Sequence, residues 1–263
     1  MKTTVAALQM TSTSDLKKNI SHCLHLLDKA LKNKAKLICL PENFSYVGPD
    51  SASAEGLDGS MLKIFKEYAK AHGIWLSLGG LPELGSISAK PFNAHVLIDD
   101  RGEVHAVYRK INLFKASITK ERTYDESKKF EKGCEEIVAK LPFFTVGLTI
   151  CFDVRFPKLF SSLAEKGAQV FLIPSAFTDI TGKAHWEILL RSRAIENQCY
   201  VIAAAQCGFH NDFYKTHGHT MIVDPWGKIL SECDDHDDMA LAEIDMDFLM
   251  KIRSDMPIKR DLD

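Results

Sequence analysis

The feature that most constrains the fold is an alternation of short apolar runs with amphipathic segments in both halves of the chain. Apolar runs of strand length lie at residues 4–9, 36–40, 143–150 and 169–173. Segments with the apolar spacing of helices lie at residues 14–33, 60–71, 157–166 and 184–198. A chain that alternates strands with helices is expected to form an α/β protein with helices packed on its sheets.

Further strands without intervening helices are predicted in each half. In the first half they lie at residues 74–81, 92–99 and 104–108, with a turn at 99–102. In the second half they lie at residues 200–206, 217–224, 229–233 and 239–245, with a turn at 224–227 and a short helix from 247. Ser14 is the predicted N-cap of the first helix, and the polar stretch 111–135 is predicted to be a functional loop.

Two halves that each carry helices on one side of their strands predict two sheets packed face to face. The expected fold class is α/β, a four-layer α-β-β-α sandwich. Residues 1–263 are predicted to form a single domain, because no Pro-, Gly- or Ser-rich linker interrupts them. One doubly wound parallel sheet is the competing topology, and it is disfavoured because no Gly-x-Gly-x-x-Gly follows the first strand.

Composition argues against several classes of partner. The formal net charge is −2, and Lys and Arg are dispersed, so no nucleic-acid partner is expected. No apolar run approaches the ~18 residues of a membrane span, so no membrane partner is expected. The beginning of the chain lacks the apolar stretch of a signal peptide, and its 7 cysteines contain no Cys-x-x-Cys pair. These features predict reduced thiols and a cytoplasmic location.

Cys151 is a candidate nucleophile. It follows an apolar run in Gly-Leu-Thr-Ile-Cys-Phe-Asp-Val-Arg-Phe-Pro, residues 147–157, whose final proline could open a helix. A nucleophile on a tight turn between a strand and a helix resembles the nucleophile elbow of hydrolases. An inert buried thiol is the alternative, and the polar Asp153 and Arg155 that follow argue against it.

Glu42 and Lys110 are candidate partners of this thiol. Glu42 follows the buried strand 36–40 and Pro41, and Lys110 follows the strand 104–108. A carboxylate at the carboxyl end of a strand is well placed to act as a general base in a cleft. A lysine close to a thiol favours the thiolate and steadies an oxyanion. Solvated surface residues are the alternative for both.

Three motifs, in this order, resemble those of the nitrilase superfamily of carbon–nitrogen hydrolases. They are Pro-Glu-Asn-Phe at Glu42, Tyr-Arg-Lys-Ile-Asn-Leu-Phe at Lys110 and Ile-Cys-Phe-Asp-Val-Arg-Phe-Pro at Cys151. The resemblance covers essentially the whole chain and implies a catalytic Glu-Lys-Cys triad, a small linear amide as substrate and no cofactor. It also implies the α-β-β-α sandwich and assembly through helices into a homodimer or a higher homo-oligomer.

The resemblance further implies a second glutamate in the loop after the lysine. Glu126, in Tyr-Asp-Glu-Ser, matches that position and is expected to hold Lys110 and the substrate in place. The other glutamates of this region match less well; they are Glu121, Glu131, Glu135 and Glu136. The backbone N–H of Phe152 is expected to share the oxyanion with Lys110.

One branch of the superfamily, the deaminated glutathione amidases, resembles this chain more closely. The similar segments are residues 177–187 and the segment that begins at Arg193, which makes Phe177 and Thr178 expected substrate-binding residues. The branch implies hydrolysis of deaminated glutathione, in which a keto group replaces the amino group of glutathione. The products would be 2-oxoglutarate and cysteinylglycine.

Arg155 is expected to bind the substrate, because a guanidinium pairs bidentately with the carboxylate of a 2-oxo acid. A structural salt bridge with Asp153 is the alternative.

The chain departs from the branch at Tyr214 and at Thr216-His217, where the branch more often has Arg and Ser-Tyr. This departure concerns recognition of the cysteinylglycine end.

No metal site is expected, because the candidate ligands fit no zinc pattern; these are Cys207, His210, His217 and His219.

Other functions stay open as alternatives. One is an ω-amidase acting on 2-oxoglutaramate, or another amidase or a true nitrilase of the same superfamily. A second is a Cys-His hydrolase with His185 or His219 as its base, which leaves the Glu42 and Lys110 motifs unexplained. A third is a binding module, against which the intact triad argues.

Overall fold

Two six-stranded sheets form the centre of the molecule. The computed structural model describes residues 2–48, 54–85, 90–117, 123–212 and 214–258. The helices are α1 (Leu16–Lys32), α2 (Ser60–His72), α3 (Pro157–Glu165), α4 (Asp179–Asn197) and α5 (Met246–Asp255). The strands are β1 (Lys2–Gln9), β2 (Leu37–Leu40), β3 (Trp75–Glu83), β4 (Phe92–Ile98), β5 (Val104–Arg109), β6 (Lys115–Ser117), β7 (Thr123–Asp125), β8 (Val138–Lys140), β9 (Thr145–Leu148), β10 (Val170–Leu172), β11 (Tyr200–Ala203), β12 (Cys207–Phe209), β13 (Lys215–His217), β14 (Met221–Val223), β15 (Ile229–Glu232) and β16 (Asp238–Asp245). Within the described residues, no helix has both the length and the apolar character that crossing a membrane requires.

The two sheets repeat one pattern of strand directions. The first has the order β16-β1-β2-β3-β4-β5, with β1, β2 and β3 parallel. The second has the order β15-β14-β11-β10-β9-β8, with β9, β10 and β11 parallel. The remaining neighbours in both sheets are antiparallel. The competing topology, one doubly wound parallel sheet, is therefore wrong.

Alternate side chains of the first sheet enter two different cores. In β1, Val5 and Ala7 pack in a core shared with Leu148 of the second sheet. The intervening Ala6 and Leu8 pack in a core shared with α1 and α2. The helices α3 and α4 contribute to the core of the second sheet. The layers are thus helix, sheet, sheet and helix, and the predicted four-layer α-β-β-α sandwich is confirmed.

The helix α4 begins earlier than predicted. It starts at Asp179, with Thr178 as its N-cap, rather than at residue 184. Gly182 lies inside the helix, where a Cβ would come within 2.2 Å of the His217 side chain. Close packing, not a turn, therefore explains this glycine.

Two other boundaries also differ from the prediction. The first helix is capped by Asp15 rather than Ser14, and the Asp15 carboxylate accepts a backbone N–H of the first turn at 3.0 Å. The predicted strand 217–224 is divided, because Gly218 and His219 have φ values of 77° and 58°. This left-handed turn places β13 in a hairpin with β12 and β14 in the second sheet. A second short hairpin, β6 with β7, lies in the predicted functional loop.

A buried histidine of β4 connects the two sheets. The Nδ1–H of His95 donates to the carbonyl of Thr149, next to β9, at 2.9 Å. Its Nε2 therefore accepts from the hydroxyl of Ser77 on β3, at 2.7 Å. Burial lowers the pKa of His95 to about 4, which outweighs the opposite effect of the Thr149 bond. The ring is thus neutral at pH 7 and joins the sheets by a hydrogen bond.

Replacing His95 with Asn is expected to change how stability depends on pH. The folded-state pKa lies below 6.5, the usual value, so the wild-type chain loses stability as pH falls from 6.5 through about 4. This group alone removes about 2 kcal/mol from the free energy of unfolding between pH 7 and pH 5. The Asn variant keeps a side-chain N–H for Thr149 and lacks the titration.

Urea unfolding of both proteins at pH 7 and pH 5 measures this difference. The wild type should lose about 2 kcal/mol more than the variant between the two pH values. The same loss in both proteins would contradict the assigned role of His95.

Candidate active site

Cys151 lies where β9 turns into α3. It begins a short 3-10 turn, Cys151–Arg155, that leads to Pro157 in the first turn of α3. Its φ of 46° is in the left-handed region, which costs a non-glycine residue about 1 kcal/mol or more. The backbone N–H of Cys151 donates to the carbonyl of Pro174, just after β10, at 2.8 Å. The neighbouring strand thus holds the thiol on a strained turn between sheet and helix.

Glu42, Lys110 and Cys151 follow β2, β5 and β9 respectively, and the fold brings them together. The Nζ of Lys110 donates to Oε1 of Glu42 at 2.9 Å. The Glu42 carboxylate and the backbone N–H of Ala176 both face the sulfur of Cys151. Lys110 is 1% exposed and Glu42 is 2% exposed, so both lie away from bulk water. One carboxylate therefore reaches an ammonium and a thiol in a buried site.

The ionisation of this cluster follows from burial and from its own charges. Burial alone would lower the pKa of Lys110, but Glu126 and Glu42 outweigh it and hold that pKa well above its usual value. Burial raises the pKa of the Cys151 thiol, Glu42 raises it further, and Lys110 opposes them only in part. At neutral pH the site therefore holds an ammonium and a protonated thiol.

Glu126 is a second carboxylate on Lys110. Its Oε2 lies 2.9 Å from the lysine Nζ and accepts the backbone N–H of Phe114 at 2.6 Å. Burial raises the pKa of Glu126, and the charge of Lys110 acts in the opposite direction. Glu136, one of the weaker candidates, pairs instead with the lysine that follows α3, and Glu121 lies outside the described residues. Glu126 and Glu42 thus both balance the positive charge of the buried Lys110.

Two adjacent glycines in β3 allow the parts of the site to approach one another. A Cβ at Gly79 would lie 1.9 Å from the Pro174 ring, and one at Gly80 would lie 2.4 Å from the Glu42 side chain. Gly80 has a φ of 60° and lies where the register of β3 shifts. Larger residues here would displace Glu42 and the segment that holds Cys151.

Two more side chains reach the site, and neither was predicted to belong to it. Asn93 of β4 donates through Nδ2 to Oε1 of Glu42 at 3.0 Å. Its signal in the sequence is a polar residue inside an apolar strand. The hydroxyl of Tyr214 donates to the Ala176 carbonyl at 3.3 Å. Burial, and then the charges of Glu42 and Cys151, raise the pKa of Tyr214, so the phenol lies near the cluster.

Arg155 does not form the salt bridge with Asp153 that was its structural alternative. Asp153 is buried, and its carboxylate accepts from other groups. The guanidinium carbon of Arg155 lies 5.2 Å from the ring centre of Phe177 and 5.9 Å from that of Phe152. One of its nitrogens lies 3.2 Å from Nδ1 of His185. Among the described residues Arg155 has no carboxylate partner, so a bound anion would meet an unpaired guanidinium.

The other two predicted substrate-binding residues differ in what they offer. Phe177 presents its ring to Arg155, and its carbonyl accepts the N–H of His217 at 2.9 Å. Thr178 caps α4, and its backbone pairs with Thr216 of β13. The hydroxyl of Thr178 is thus used in the helix cap, whereas the ring of Phe177 packs against the guanidinium of Arg155.

The histidines considered as metal ligands or as bases have other partners. His210 lies 2.7 Å from a backbone carbonyl and 2.7 Å from a threonine hydroxyl. His219 pairs with a glutamate at 2.9 Å, and His185 contacts Arg155. In the part of the chain that the structure describes, no group of His, Cys, Asp and Glu side chains could hold a metal ion. The geometry also does not favour a Cys-His hydrolase, because these contacts do not include Cys151.

The arrangement is suited to acyl transfer. A thiol beside a carboxylate can give its proton to that carboxylate while its sulfur attacks a carbonyl carbon. The ammonium of Lys110 can supply positive charge to the oxyanion of such a reaction. In the turn that begins at Cys151, the N–H of Cys151 donates to Pro174 and that of Asp153 donates to Ile150, so neither of these two groups is available to an oxyanion.

The chain matches known proteins over nearly its whole length. Residues 4–254 match the family Carbon-nitrogen hydrolase. The chain is 43% identical over 262 residues to the deaminated glutathione amidase of Rattus norvegicus, which covers 97% of this chain and 80% of the relative. It is 44% identical over 260 residues to the nitrilase and fragile histidine triad fusion protein NitFhit of Drosophila melanogaster. That match covers 97% of this chain but spans only 56% of the relative.

A solved structure has the same architecture. The crystal structure of Saccharomyces cerevisiae Nit3, described as a member of branch 10 of the nitrilase superfamily, superposes with a TM-score of 0.90 at 28% identity. The superposition covers 99% of this chain and 96% of that one. Because the family match and the fold both extend over almost all of the chain, it belongs to the carbon-nitrogen hydrolase family, within the nitrilase superfamily, and is an enzyme of that family.

Proposed function

We propose that this enzyme hydrolyses the amide bond of deaminated glutathione and releases 2-oxoglutarate and cysteinylglycine. The observation that carries the proposal is the buried cluster in which Glu42 contacts Lys110 and faces the thiol of Cys151. Relatives named deaminated glutathione amidase, at 43% identity in the rat, support the choice of substrate. The reaction needs no cofactor, because the protein's own side chains supply the nucleophile, the base and the positive charge.

Acylation begins with the protonated thiol. Glu42 takes the proton from Cys151 as the sulfur attacks the amide carbon, and the carbonyl oxygen becomes an oxyanion. Lys110 and the backbone N–H of Phe152 stabilise that oxyanion. The carbon–nitrogen bond then breaks, Glu42 returns the proton to the leaving amine, and cysteinylglycine departs. A 2-oxoglutaryl thioester remains on the sulfur.

Deacylation reverses these roles with water in place of the thiol. Glu42 takes a proton from the water, whose oxygen attacks the thioester carbon. The carbon–sulfur bond breaks, the sulfur recovers a proton from Glu42, and 2-oxoglutarate is released. Glu126 and Asn93 hold the lysine and the base in place throughout, through their bonds to Lys110 and to Glu42.

The electrostatics of the site support a base-assisted attack. The pKa of Cys151 is raised by burial and by Glu42, so the resting thiol keeps its proton. A preformed thiolate would need a stronger positive field than Lys110 provides while Glu42 and Glu126 neutralise it. The carboxylate beside the thiol is therefore required in each half of the reaction.

Arg155 supports a substrate that carries a carboxylate on its acyl half. Its guanidinium lies near Phe152 and Phe177 and has no carboxylate partner among the described residues. A guanidinium that is not paired within the protein forms strong, charge-assisted hydrogen bonds with a carboxylate. The 2-oxo acid end of deaminated glutathione supplies that group.

We also propose that the enzyme forms a homodimer through the exposed face of α4. Ile180, Ile188 and Ile195 are 49%, 67% and 45% exposed. Intervals of eight and seven residues correspond to about two helical turns each, so the three isoleucines share one face. Trp226, which is 63% exposed, follows Asp224-Pro225 and adjoins the glycine that lies against Ile195. Contact with a second copy would remove this apolar surface from water.

Substrate preference and the Arg155→Gln variant test the proposed reaction. The wild-type kcat/KM is expected to be highest for deaminated glutathione, lower for 2-oxoglutaramate and lowest for a simple nitrile. Arg155→Gln should lower kcat/KM for deaminated glutathione by about 10- to 100-fold, since charge-assisted hydrogen bonds contribute about 1.5–3 kcal/mol. Its effect on a neutral amide should be less than about threefold.

The matched control is Arg101→Gln, which removes an arginine that pairs with Asp99 away from the site. This control should leave kcat/KM unchanged for every substrate. Comparable rates on all three wild-type substrates would contradict the choice of deaminated glutathione, and a higher rate on 2-oxoglutaramate would favour an ω-amidase. A loss in Arg155→Gln that is equal for charged and neutral amides would contradict the carboxylate role.

Ile188→Glu is expected to convert the proposed dimer to a monomer, because it places a charge in an apolar interface. The matched control is Ile64→Glu on α2, which is 38% exposed and lies outside the proposed interface. Size-exclusion chromatography with light scattering measures the mass of each variant. A monomeric wild type, or a dimer that survives Ile188→Glu, would contradict assembly through α4.

A further inference from the structure

Asp153 is a buried carboxylate that the proposed mechanism does not use. It is 0% exposed, and both of its oxygens are occupied by donors from the protein. Oδ2 accepts the hydroxyl of Tyr108 at 2.7 Å and the backbone N–H of Ile150 at 2.9 Å. Oδ1 accepts the backbone N–H and the side-chain amide of Asn112 at 3.1 and 2.9 Å. Asp153 forms no direct ion pair among the described residues; burial raises its pKa, and these hydrogen bonds together with the charge of Lys110 act in the opposite direction.

The position of these donors relates Asp153 to the reacting groups. Tyr108 and Asn112 lie two residues before and two residues after Lys110, and Ile150 directly precedes Cys151. Asp153 itself lies two residues after Cys151. One carboxylate therefore joins the turn that carries the thiol to both sides of the segment that carries the ammonium.

The same contacts connect the two sheets. Tyr108 belongs to β5 at the edge of the first sheet, whereas Ile150 follows β9 of the second sheet. The hydroxyl of Tyr108 also accepts the backbone N–H of Ile111 at 3.1 Å, which orients the residue next to Lys110. The separation of Lys110 from Cys151 therefore depends on a hydrogen-bonded unit as well as on the packing of the sheets.

We propose that Asp153 is a positioning residue that, through Tyr108 and Asn112, sets the distance between the Lys110 ammonium and the Cys151 thiol. The proposal rests on the proposed roles of those two groups. Lys110 lowers the pKa of Cys151, and this effect falls with distance. A looser connection should therefore leave the thiol harder to ionise and the oxyanion less well stabilised.

The chain offers a closely matched pair of variants to test this idea. Tyr108→Phe removes the hydroxyl that donates to Asp153 and accepts from Ile111. Tyr200→Phe removes a partly buried hydroxyl that donates to the Asp245 carbonyl and accepts the Asp245 N–H. Each substitution removes one oxygen, one donated hydrogen bond and one accepted hydrogen bond, and neither changes a charge. Only the first pair of bonds leads to the active site.

The readout is the rate at which iodoacetamide alkylates Cys151 as a function of pH, located by peptide mass spectrometry to separate it from the other cysteines. This rate needs no amide substrate, so a wrong choice of substrate would leave it unaffected. The charged and titratable groups that face the thiol are Glu42, Lys110, Arg155 and Tyr214. Neither variant replaces any of them.

Tyr108→Phe is expected to slow alkylation at neutral pH by about threefold or more and to move its pH profile upward. The kcat for amide hydrolysis should fall by about tenfold or more while KM changes less than about twofold. Tyr200→Phe should lower the melting temperature by less, because its hydroxyl donates to a backbone carbonyl rather than to a buried carboxylate, and should leave the alkylation profile and kcat unchanged.

Asn112→Ala, at a half-buried position, provides a second variant should Tyr108→Phe fail to fold. It should shift the alkylation profile in the same direction by a smaller amount. A Tyr108→Phe or Asn112→Ala protein that folds and keeps the wild-type alkylation profile would overturn the proposal. The same shift in Tyr200→Phe would overturn it as well, because general loosening would then explain the effect.

Discussion

The buried ammonium of Lys110 is the interaction on which the rest of the site depends. A lone charge removed from water costs several kcal/mol, and the fold offsets this with two carboxylates, Glu42 and Glu126. Burial raises the pKa of the Cys151 thiol and Glu42 raises it further, so the thiol keeps its proton at rest. Glu42 thus both balances the buried lysine and lies where the proposed general base is needed.

The site exists because two sheets from different halves of the chain approach closely at one edge. The first sheet carries Glu42 and Lys110, and the second carries Cys151. The close approach depends on Gly79, where a Cβ would meet Pro174 at 1.9 Å, since larger residues would separate the two halves of the cluster. Hydrogen bonds from His95 and to Asp153 then cross between the sheets close to the reacting groups. Fold and catalysis are coupled at this edge.

The fold class could be predicted from the sequence because apolar periodicity reports directly which faces are buried. Glu42, Lys110 and Cys151 could be proposed because each follows an apolar run of strand length. The end of a strand is a position where a side chain can face a cleft. Asn93 was missed because its contact with Glu42 depends on the order of β2, β3 and β4 in the sheet, and local sequence does not reveal which strands pair. Tyr214 was missed as a site residue for the same reason, since a hairpin brings it to Ala176. The predicted start of α4 at residue 184 was wrong, because the helix begins at Asp179 with Thr178 as its N-cap.

The role proposed for Cys151 as carrier of the acyl group can be tested by the mass of the enzyme during turnover. Deaminated glutathione is mixed with the enzyme, the reaction is quenched in acid within one turnover, and peptides are analysed by mass spectrometry. We expect a 2-oxoglutaryl group on Cys151 that disappears with time in water and never forms in Cys151→Ala. Full amide hydrolysis by a folded Cys151→Ala protein, or an acyl group on another residue, would contradict it.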